Sequence, residues 1–344
     1  MAPHLLEAAR VAYRIDGSDQ AWLAAMLAAM QRGGGGLAGW MATYNARGTS
    51  PIVLGVMVGS ELARGWRAAV RLGVRLVPNR YARRAFDIGV CGTLSQLLGD
   101  RLAQTPGTGQ LLTAFGARDV IGVNARDPTG LGVVAGLNLP QVTQLSHHEV
   151  ERWANLAAHI AAGHRLRRAL ASDQRSLLDG AEAVLERDGR LAHARDAATT
   201  TSACEVLRKA ARTLEQVGVP KPSAPEEALH GWPALVDGRW TLVDHFDSDG
   251  RRYFVARKND PAAPGPRELT GRQRQIVGYA ALGHSNKLIA YELGLSEAAI
   301  SHHLARAAER LGLRTRTELV RAVLTLRGQA TSGDEPPEDD AGPH

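Results

Sequence analysis

The sequence predicts a multidomain chain in which two α+β units precede a small all-α domain of four helices. Three observations carry that reading. Between Leu269 and Arg327, apolar residues recur at helical spacing, and each run is bracketed by a capping residue and a glycine. Upstream, short apolar runs alternate with turn signals at strand length. Between the two regions, 259–268 (NDPAAPGPRE) is rich in Pro and Gly and continues neither helix nor strand. The expected divisions are 1–175, an α+β unit ending in a long helix; 176–258, a smaller α+β unit; the linker 259–268; the helical domain 269–327; and a disordered acidic tail, 328–344.

Composition narrows the function classes. A chain of 344 residues is long for one domain. With 44% hydrophobic and 22% charged residues it is ordinary globular material, neither disordered nor fibrous. Cys91 and Cys204 are too far apart and too few for a disulfide framework, and buried free thiols are the expectation. The N-terminus has no basic start followed by an apolar run. The stretch Ile52–Gly59 falls well short of the roughly 20 residues that span a bilayer. A soluble, cytoplasmic protein without a membrane partner is expected. The net charge of +6 conceals an asymmetry, because the tail carries Asp334, Glu335, Glu338, Asp339 and Asp340 and no Lys or Arg. From Arg267 to Arg327, nine Arg and one Lys face five Glu, a surplus that favours a polyanion through phosphate neutralisation.

Taken in order, residues 19–32 read as an amphipathic helix with Trp22, Met26 and Met30 spaced four apart, ended by Gly33–Gly36. GLAGWMATYNA and PIVLGVMVGS are strand-like, with a turn at Gly48–Pro51. A helix from about Glu61 to Leu72 follows, and 89–99 reads as helix or strand. DVIGVNAR and LGVVAGLNL are strands around a turn at Asp127–Gly130. A long helix starts near Ser146, with Val150, Trp153, Ala157 and Ile160 as its apolar stripe and a basic end at 164–168. In the second unit, a hairpin turns at Asp188-Gly189 and a helix runs from about Ser202 to Val217. Three alternating strands then meet at Asp237-Gly238 and Asp249-Gly250, dipeptides that tolerate the positive φ of tight hairpins.

In the last domain, Thr270 caps a helix to about Leu282, followed by Gly283. Ser285 caps a second helix through Leu293, closed by Gly294. Ser296 caps a third to about Leu311, closed by Gly312. A fourth runs from Thr315 to about Leu326. Only a Gly-Leu turn separates the second and third helices, the length that a helix-turn-helix needs.

The motif residues are Leu269-Thr270, Gly283 through Ala290 (GHSNKLIA), Leu293, Ser296, Ile300, His303 and Arg310-Leu311-Gly312. Together they resemble the DNA-binding domain of the LuxR family of bacterial transcription regulators, over about sixty residues. The order of elements in 1–175 is similar to a GAF-like domain and that of 176–258 to a reduced PAS-like domain, so a sensory N-terminal region is implied. The resemblance implies a third helix in the major groove, with Ser301, His302 and Ala305 reading bases. Lys287, Ser296, Ala299 and Arg306 would occupy or adjoin backbone-facing positions, and Arg310 stands for the family's basic residue before Leu-Gly. Leu319, Val323 and Leu326 would pair two copies, with Leu319 inward and Val323 exposed. Implied partners are double-stranded DNA and a second copy in a homodimer, with RNA polymerase and a small-molecule ligand as further candidates; no cofactor is specified. The chain departs from the family at Ala299, where Thr is usual, and at Ser301 and Ala305, where basic residues are common. Gln273 and Gln275 replace acidic residues. Because a good base contact gives roughly 1–3 kcal/mol of discrimination, small side chains here imply modest specificity per half-site.

Other chemistry is absent or weak. Placing Asp249-Gly250 in a calcium loop leaves its bidentate Glu position as Ala256. Gly130, Gly132 and Gly136 miss the dinucleotide spacing. His147-His148 and His302-His303 lack partners at ligand spacing, and Cys91 has no orienting base. The chain is expected not to be an enzyme. Trp40 and Tyr44 share a spacing with the signal-binding domains of quorum-sensing LuxR proteins, which makes them candidate ligand contacts, but residues 45–80 contain no Asp. Core packing is the plainer reading of both. Two alternatives to the DNA-binding regulator remain: a small-molecule receptor of quorum-signal type, and a protein-interaction regulator with weakened DNA reading.

Overall fold

The computed structural model describes residues 2–33, 38–46, 53–60, 66–68, 70–71, 90–99, 112–113, 116–173, 181–217, 235–236, 240–246, 252–259 and 269–329. The turns at 48–51, 237–238 and 249–250 and the tail 330–344 lie outside them, as do most of the helix expected at 61–72 and the linker 260–268.

The N-terminal region holds two antiparallel sheets. The chain begins with α1 (Ala2–Ala12) and α2 (Asp19–Gly33), then β1 (Gly39–Asn45), β2 (Val53–Ser60), β3 (Cys91–Thr93), a short α3 (Leu94–Leu98), β4 (Asp119–Arg126), β5 (Leu131–Leu139) and the long α4 (His147–Asp173). The second sheet is built from β6 (Ala181–Glu186), β7 (Leu191–Ala194), α5 (Thr201–Val217), β8 (Leu235–Val236), β9 (Trp240–Phe246) and β10 (Arg252–Lys258). The strand orders are β2-β1-β5-β4-β3 and β7-β6-β10-β9-β8. Each sheet therefore has the same serial order, with its fifth strand beside its first. The closing meander β8-β9-β10 expected of the second unit is present.

Strand alternation sorts the first sheet into two faces. Met41, Val58, Val123, Val133, Ala135 and Leu137 face a core shared with α1, α2 and α4. Ala42, Tyr44, Met57 and Val134 form the opposite face with Trp40, Leu54, Trp66 and Val70. Trp22, Met26 and Met30 are buried as their spacing predicts, and burying each such side chain contributes roughly 1.5–3 kcal/mol. Helix α1 was not expected from the sequence, although Leu5, Ala8, Ala9 and Ala12 do recur at helical spacing and all four are buried. It crosses α4 at Gly163, where a Cβ would lie 2.0 Å from the Ala12 carbonyl oxygen. The loop after α1 is pinned by Arg167, which donates to the carbonyls of Arg14 (2.9 Å) and Gly17 (2.8 Å) and pairs with Asp19 at 3.0 Å.

The ambiguous stretch 89–99 is both elements in succession. β3 passes into α3 through a capping box at Thr93 and Gln96. Buried Asp119 holds that junction, accepting from the Ser95 amide and hydroxyl and from the Thr143 amide. Helix α4 starts where expected, with Ser146 and Glu149 bonded to each other. It continues beyond the basic stretch to Asp173, so Leu166 and Leu170 reach Val243 and Val255 of the second sheet. One helix thus serves both sheets. On its other face the second sheet is covered by α5, around Trp240, Leu207 and Phe254.

The C-terminal domain is four helices: α6 (Gly271–Ala281), α7 (Asn286–Leu293), α8 (Glu297–Arg310) and α9 (Arg316–Gln329). Ile276, Tyr279, Ile289, Leu293, Ile300, Leu304, Ala307, Leu319 and Val323 meet in their common core. No helix among the described residues is long and apolar enough to cross a membrane.

Candidate nucleic-acid interface

The local chemistry of α6–α8 follows from its caps. Thr270 accepts from the Gln273 amide while the Gln273 side chain accepts from the Thr270 amide, a capping box. Ser285 accepts from the Leu288 amide, and Gly294 ends α7 in the left-handed region at φ 61°, where a glycine carries no Cβ penalty. Ser296 then accepts from the Ala299 amide to open α8. The two-residue turn and the Ile289–Leu293–Ile300–Leu304 contact hold α8 across α7, and one face of α8 is left in solvent.

Ser301, His302, Ala305 and Arg306 are exposed on that face, Ala299 is half-buried, and Arg310 is exposed near the end of the helix. Several of these side chains are already engaged. The Ser296 hydroxyl is used in its cap. The Ser301 hydroxyl accepts from Asn286 Nδ2 at 3.0 Å, and Asn286 Oδ1 accepts from Arg316. Arg306 pairs with Glu309 at 3.1 Å, and Arg310 donates to Gln273 Oε1 at 3.2 Å. Those four residues line a groove of about 450 Å³ beside the recognition helix. Gln273 and Gln275, the departures in the opening helix, thus have structural partners, since Gln275 accepts from Arg272 at 3.0 Å. His303 is half-buried, and its pKa lies below the usual value through burial first and then the neighbouring His302 and Arg272.

Two sequence expectations need correction or relocation. Val323 is 2% exposed, beside Leu319 at 0%, so both belong to the four-helix core and the expected outward position of Val323 is wrong. Helical rotation brings the apolar Leu324 outward instead, at 45% exposure; the side chain of Leu326 lies outside the described residues. Lys287 is exposed as expected, but it pairs with Glu151 of α4, and that pairing raises its pKa.

Lys287 is one of a set of contacts between the helical domain and the N-terminal region that the sequence did not reveal. Leu288 and Tyr291 of α7 join the core under the first sheet. Tyr291 Oη lies 2.8 Å from His159 Nε2, and Tyr13 Oη lies 2.8 Å from His159 Nδ1. Arg126 donates to the Leu282 carbonyl at 3.0 Å. Arg165 pairs with Asp127 at 2.6 Å and donates to Tyr279 Oη at 3.1 Å and to Asn259. Burial opposes the charge on Arg165, but Tyr279 and Asp127 outweigh it and hold its pKa above the usual value. Burial likewise acts on Asp127 in the raising direction, yet Arg165 and Thr129 bring it below the ordinary carboxylate range.

Trp40 and Tyr44 lie together on the outer face of the first sheet, opposite Gly136 and Gly132 of β5. A Cβ on Gly136 would meet Trp40 Nε1 at 2.6 Å, and one on Gly132 would meet Tyr44 Oη at 2.5 Å. The glycines that fail as a dinucleotide motif are instead the floor on which these rings lie. Trp40 Nε1 is buried without a hydrogen-bond partner among the described residues. Tyr44 Oη takes the Asn124 amide nitrogen at 2.8 Å, and the Asn124 oxygen accepts from Arg126 Nε and Nη2 at 2.9 and 3.1 Å. Cys91 packs against the core, and burial pushes its thiol pKa far up, which disfavours the nucleophilic thiolate.

With this geometry in place, residues 267–323 match the family described as bacterial regulatory proteins, luxR family. That segment is a LuxR-family helix-turn-helix domain. Among solved structures, the crystal structure of Escherichia coli SdiA aligns with 92% of this chain and 92% of its own, at 10% identity and a TM-score of 0.30. The search of curated proteins found no match to the chain.

Proposed function

We propose that the chain is a transcription regulator that binds promoter DNA as a dimer through 269–327, under the control of GAF-like and PAS-like sensory units at 1–175 and 176–258. The observation that carries this is the open face of α8, where Ser301, His302, Ala305 and Arg306 stand in solvent on a helix held by a cap and a glycine turn of helix-turn-helix length. Small side chains at two of those positions direct the binding energy toward phosphate contacts and the pairing of two copies. Among the described residues of α9, Leu324, rather than Val323, is the exposed large apolar side chain that such a pairing would use, with Val320 half-buried against the four-helix core.

The test is retardation of pooled promoter DNA by residues 260–330, which hold the complete four-helix core, and by the same fragment carrying Lys287→Ala and Arg306→Ala. Salt-dependent binding by the first and its loss in the second are expected. Absence of any retardation at low salt by the unaltered fragment would defeat the reading, and sequenced chromatin pull-downs without discrete peaks would favour a protein-interaction regulator.

A second reading concerns the input. The Trp40–Tyr44 face has a buried indole N–H with no partner among the described residues, and Tyr44 connects through Asn124 and Arg126 to the Leu282 carbonyl of the DNA-binding domain. Those features fit a small-molecule acceptor of hydrogen bonds seated on that face. Native mass spectrometry of the purified full chain tests it, and a protein that carries and takes up no small molecule counts against it.

A further inference from the structure

Among the described residues, the start of α9 carries exposed positive charge that the domain's own carboxylates do not meet. Arg314 stands just before the helix and Arg316 and Arg321 on it, all three in solvent. Arg316 donates to neutral groups, the Asn286 side chain and, at 2.8 Å, the His284 carbonyl. Arg314 and Arg321 have no carboxylate partner among the described residues. Glu318, the acidic residue between them, accepts from the Arg314 backbone amide at 2.8 Å. Asn286 in turn donates to the Ser301 hydroxyl at 3.0 Å, so this basic strip joins the open face of α8 at its rim.

The sequence supplies a counterpart beyond α9. Asp334, Glu335, Glu338, Asp339 and Asp340 follow it, with no Lys or Arg in 331–344. Covalent geometry lets them return along the helix. Arg321 and Arg316 lie about 12 and 20 Å back from Gln329 at the helical rise. Extended chain reaches about 20 Å from Gln329 by Glu335 and about 35 Å by Asp340. The dipole of α9 acts in the same sense, since its C-terminal end repels negative charge and its N-terminal end attracts it.

We propose that the acidic segment 334–340 seats on Arg314, Arg316 and Arg321 and competes there, as a tethered polyanion, with the phosphates of DNA. This rests on the DNA-binding reading above and adds a selectivity device to it. Tethering holds the carboxylates at a roughly millimolar local concentration, so individually weak contacts suffice. The competitor opposes the sequence-independent attraction to phosphate and leaves the base contacts of α8 untouched. Binding to non-specific DNA is therefore the part that it lowers most.

The test compares the full-length wild type with a chain whose five acidic side chains are neutralised together: Asp334→Asn, Glu335→Gln, Glu338→Gln, Asp339→Asn and Asp340→Asn. Both are also made in a background carrying Arg314→Gln and Arg321→Gln. Affinity for a mixed-sequence duplex is read by fluorescence anisotropy across a salt series. Neutralising the acidic segment is expected to tighten binding about fivefold at low salt, the scale of a few exposed ion pairs. The gain should fade as salt is raised, because both competing contacts are screened. In the Arg314→Gln, Arg321→Gln background it should shrink to about twofold or less, since one of the three pairs is left. Equal affinity of the wild type and the neutralised chain would overturn the competitor and leave the DNA-binding reading intact. An equal gain in both backgrounds would overturn the seat on these arginines, because a change of net charge acts without it. No binding by any of the four proteins at low salt would overturn the DNA-binding reading, and the competing role with it.

Discussion

His159 of α4 and Tyr291 of the helix-turn-helix are joined at 2.8 Å, and the other nitrogen of the same ring is joined at the same distance to Tyr13 of α1. The ring is fully buried, so it fastens three elements that are far apart in sequence at a point where water cannot substitute. Replacing it with an apolar side chain leaves two hydroxyls without their partner, and each buried polar group left unpaired costs roughly 1–3 kcal/mol. His159→Leu is therefore expected to lower full-chain stability by about 2–6 kcal/mol by this count. Denaturant unfolding followed by circular dichroism measures it, and an unchanged midpoint would show that the bridge contributes nothing.

The crossing of α1 over α4 makes a second demand. At Gly163 the backbones approach so closely that an added methyl would meet the Ala12 carbonyl oxygen at 2.0 Å, and that atom is main chain. Elsewhere in a helix Gly→Ala gains up to about 1 kcal/mol in propensity. Here the overlap should reverse the sign, with Gly163→Ala destabilising by at least about 2 kcal/mol, since overpacking a rigid site costs roughly 1–3 kcal/mol or more. A thermal melt of the variant that equals or exceeds the wild type would contradict the crossing.

The sequence was most legible where local chemistry decides structure. Thr270, Ser285, Gly294 and Ser296 each act within a few residues, so the helix-turn-helix could be read down to its caps. The hairpins of the first sheet and the start of α4 at Ser146 were legible for the same reason. Contacts between distant segments left no local signal. Glu151, His159 and Arg165 look like ordinary polar positions on a mixed helix, and only the fold shows that all three face the DNA-binding domain. The outward assignment of Val323 failed because helical phase alone does not say which part of an apolar stripe the neighbouring helices cover. Trp40 and Tyr44 could be placed on a strand, but their glycine floor required knowing that β1 pairs with β5.

That floor is itself testable. Gly136 stands opposite Trp40, and a Cβ there would meet the indole nitrogen at 2.6 Å. Gly136→Val should displace the ring from the sheet and expose it to water, shifting tryptophan emission to longer wavelength, with Gly122→Val on the neighbouring strand as the comparison. Equal spectra for the Gly136 variant and the wild type would mean that the indole does not rest there.

Acid should weaken the N-terminal region through His164. Its ring is stacked on Trp22, with centroids 6.1 Å apart, and is 6% exposed. Burial first, and then the nearby charge of Arg168, lower its pKa to about 4. The unfolded chain takes up a proton near the ordinary value of about 6.5, whereas the folded chain does so only near 4. The neutral ring thus contributes full stability above about 6.5, and that contribution is lost as the pH falls toward 4, because the unfolded state binds more protons in that window. The total is about 3 kcal/mol at 1.36 kcal/mol per unit. His164→Leu should flatten the dependence of unfolding free energy on pH between 7 and 4. Equal slopes for wild type and variant would remove His164 from the account.

The reading of Lys287 as a phosphate contact makes a quantitative statement about salt. Each phosphate neutralised on duplex DNA contributes a slope of about 0.9 to the fall of log affinity with log salt. Lys287→Ala and Arg306→Ala should each reduce the slope of the 260–330 fragment by about that amount and weaken all sequences alike. His302→Ala should leave the slope unchanged and instead flatten the preference among duplexes, because it removes a contact to base edges rather than to the backbone. Slopes are read from fluorescence anisotropy titrations across a salt series. If Lys287→Ala kept the wild-type slope, the lysine would not meet phosphate.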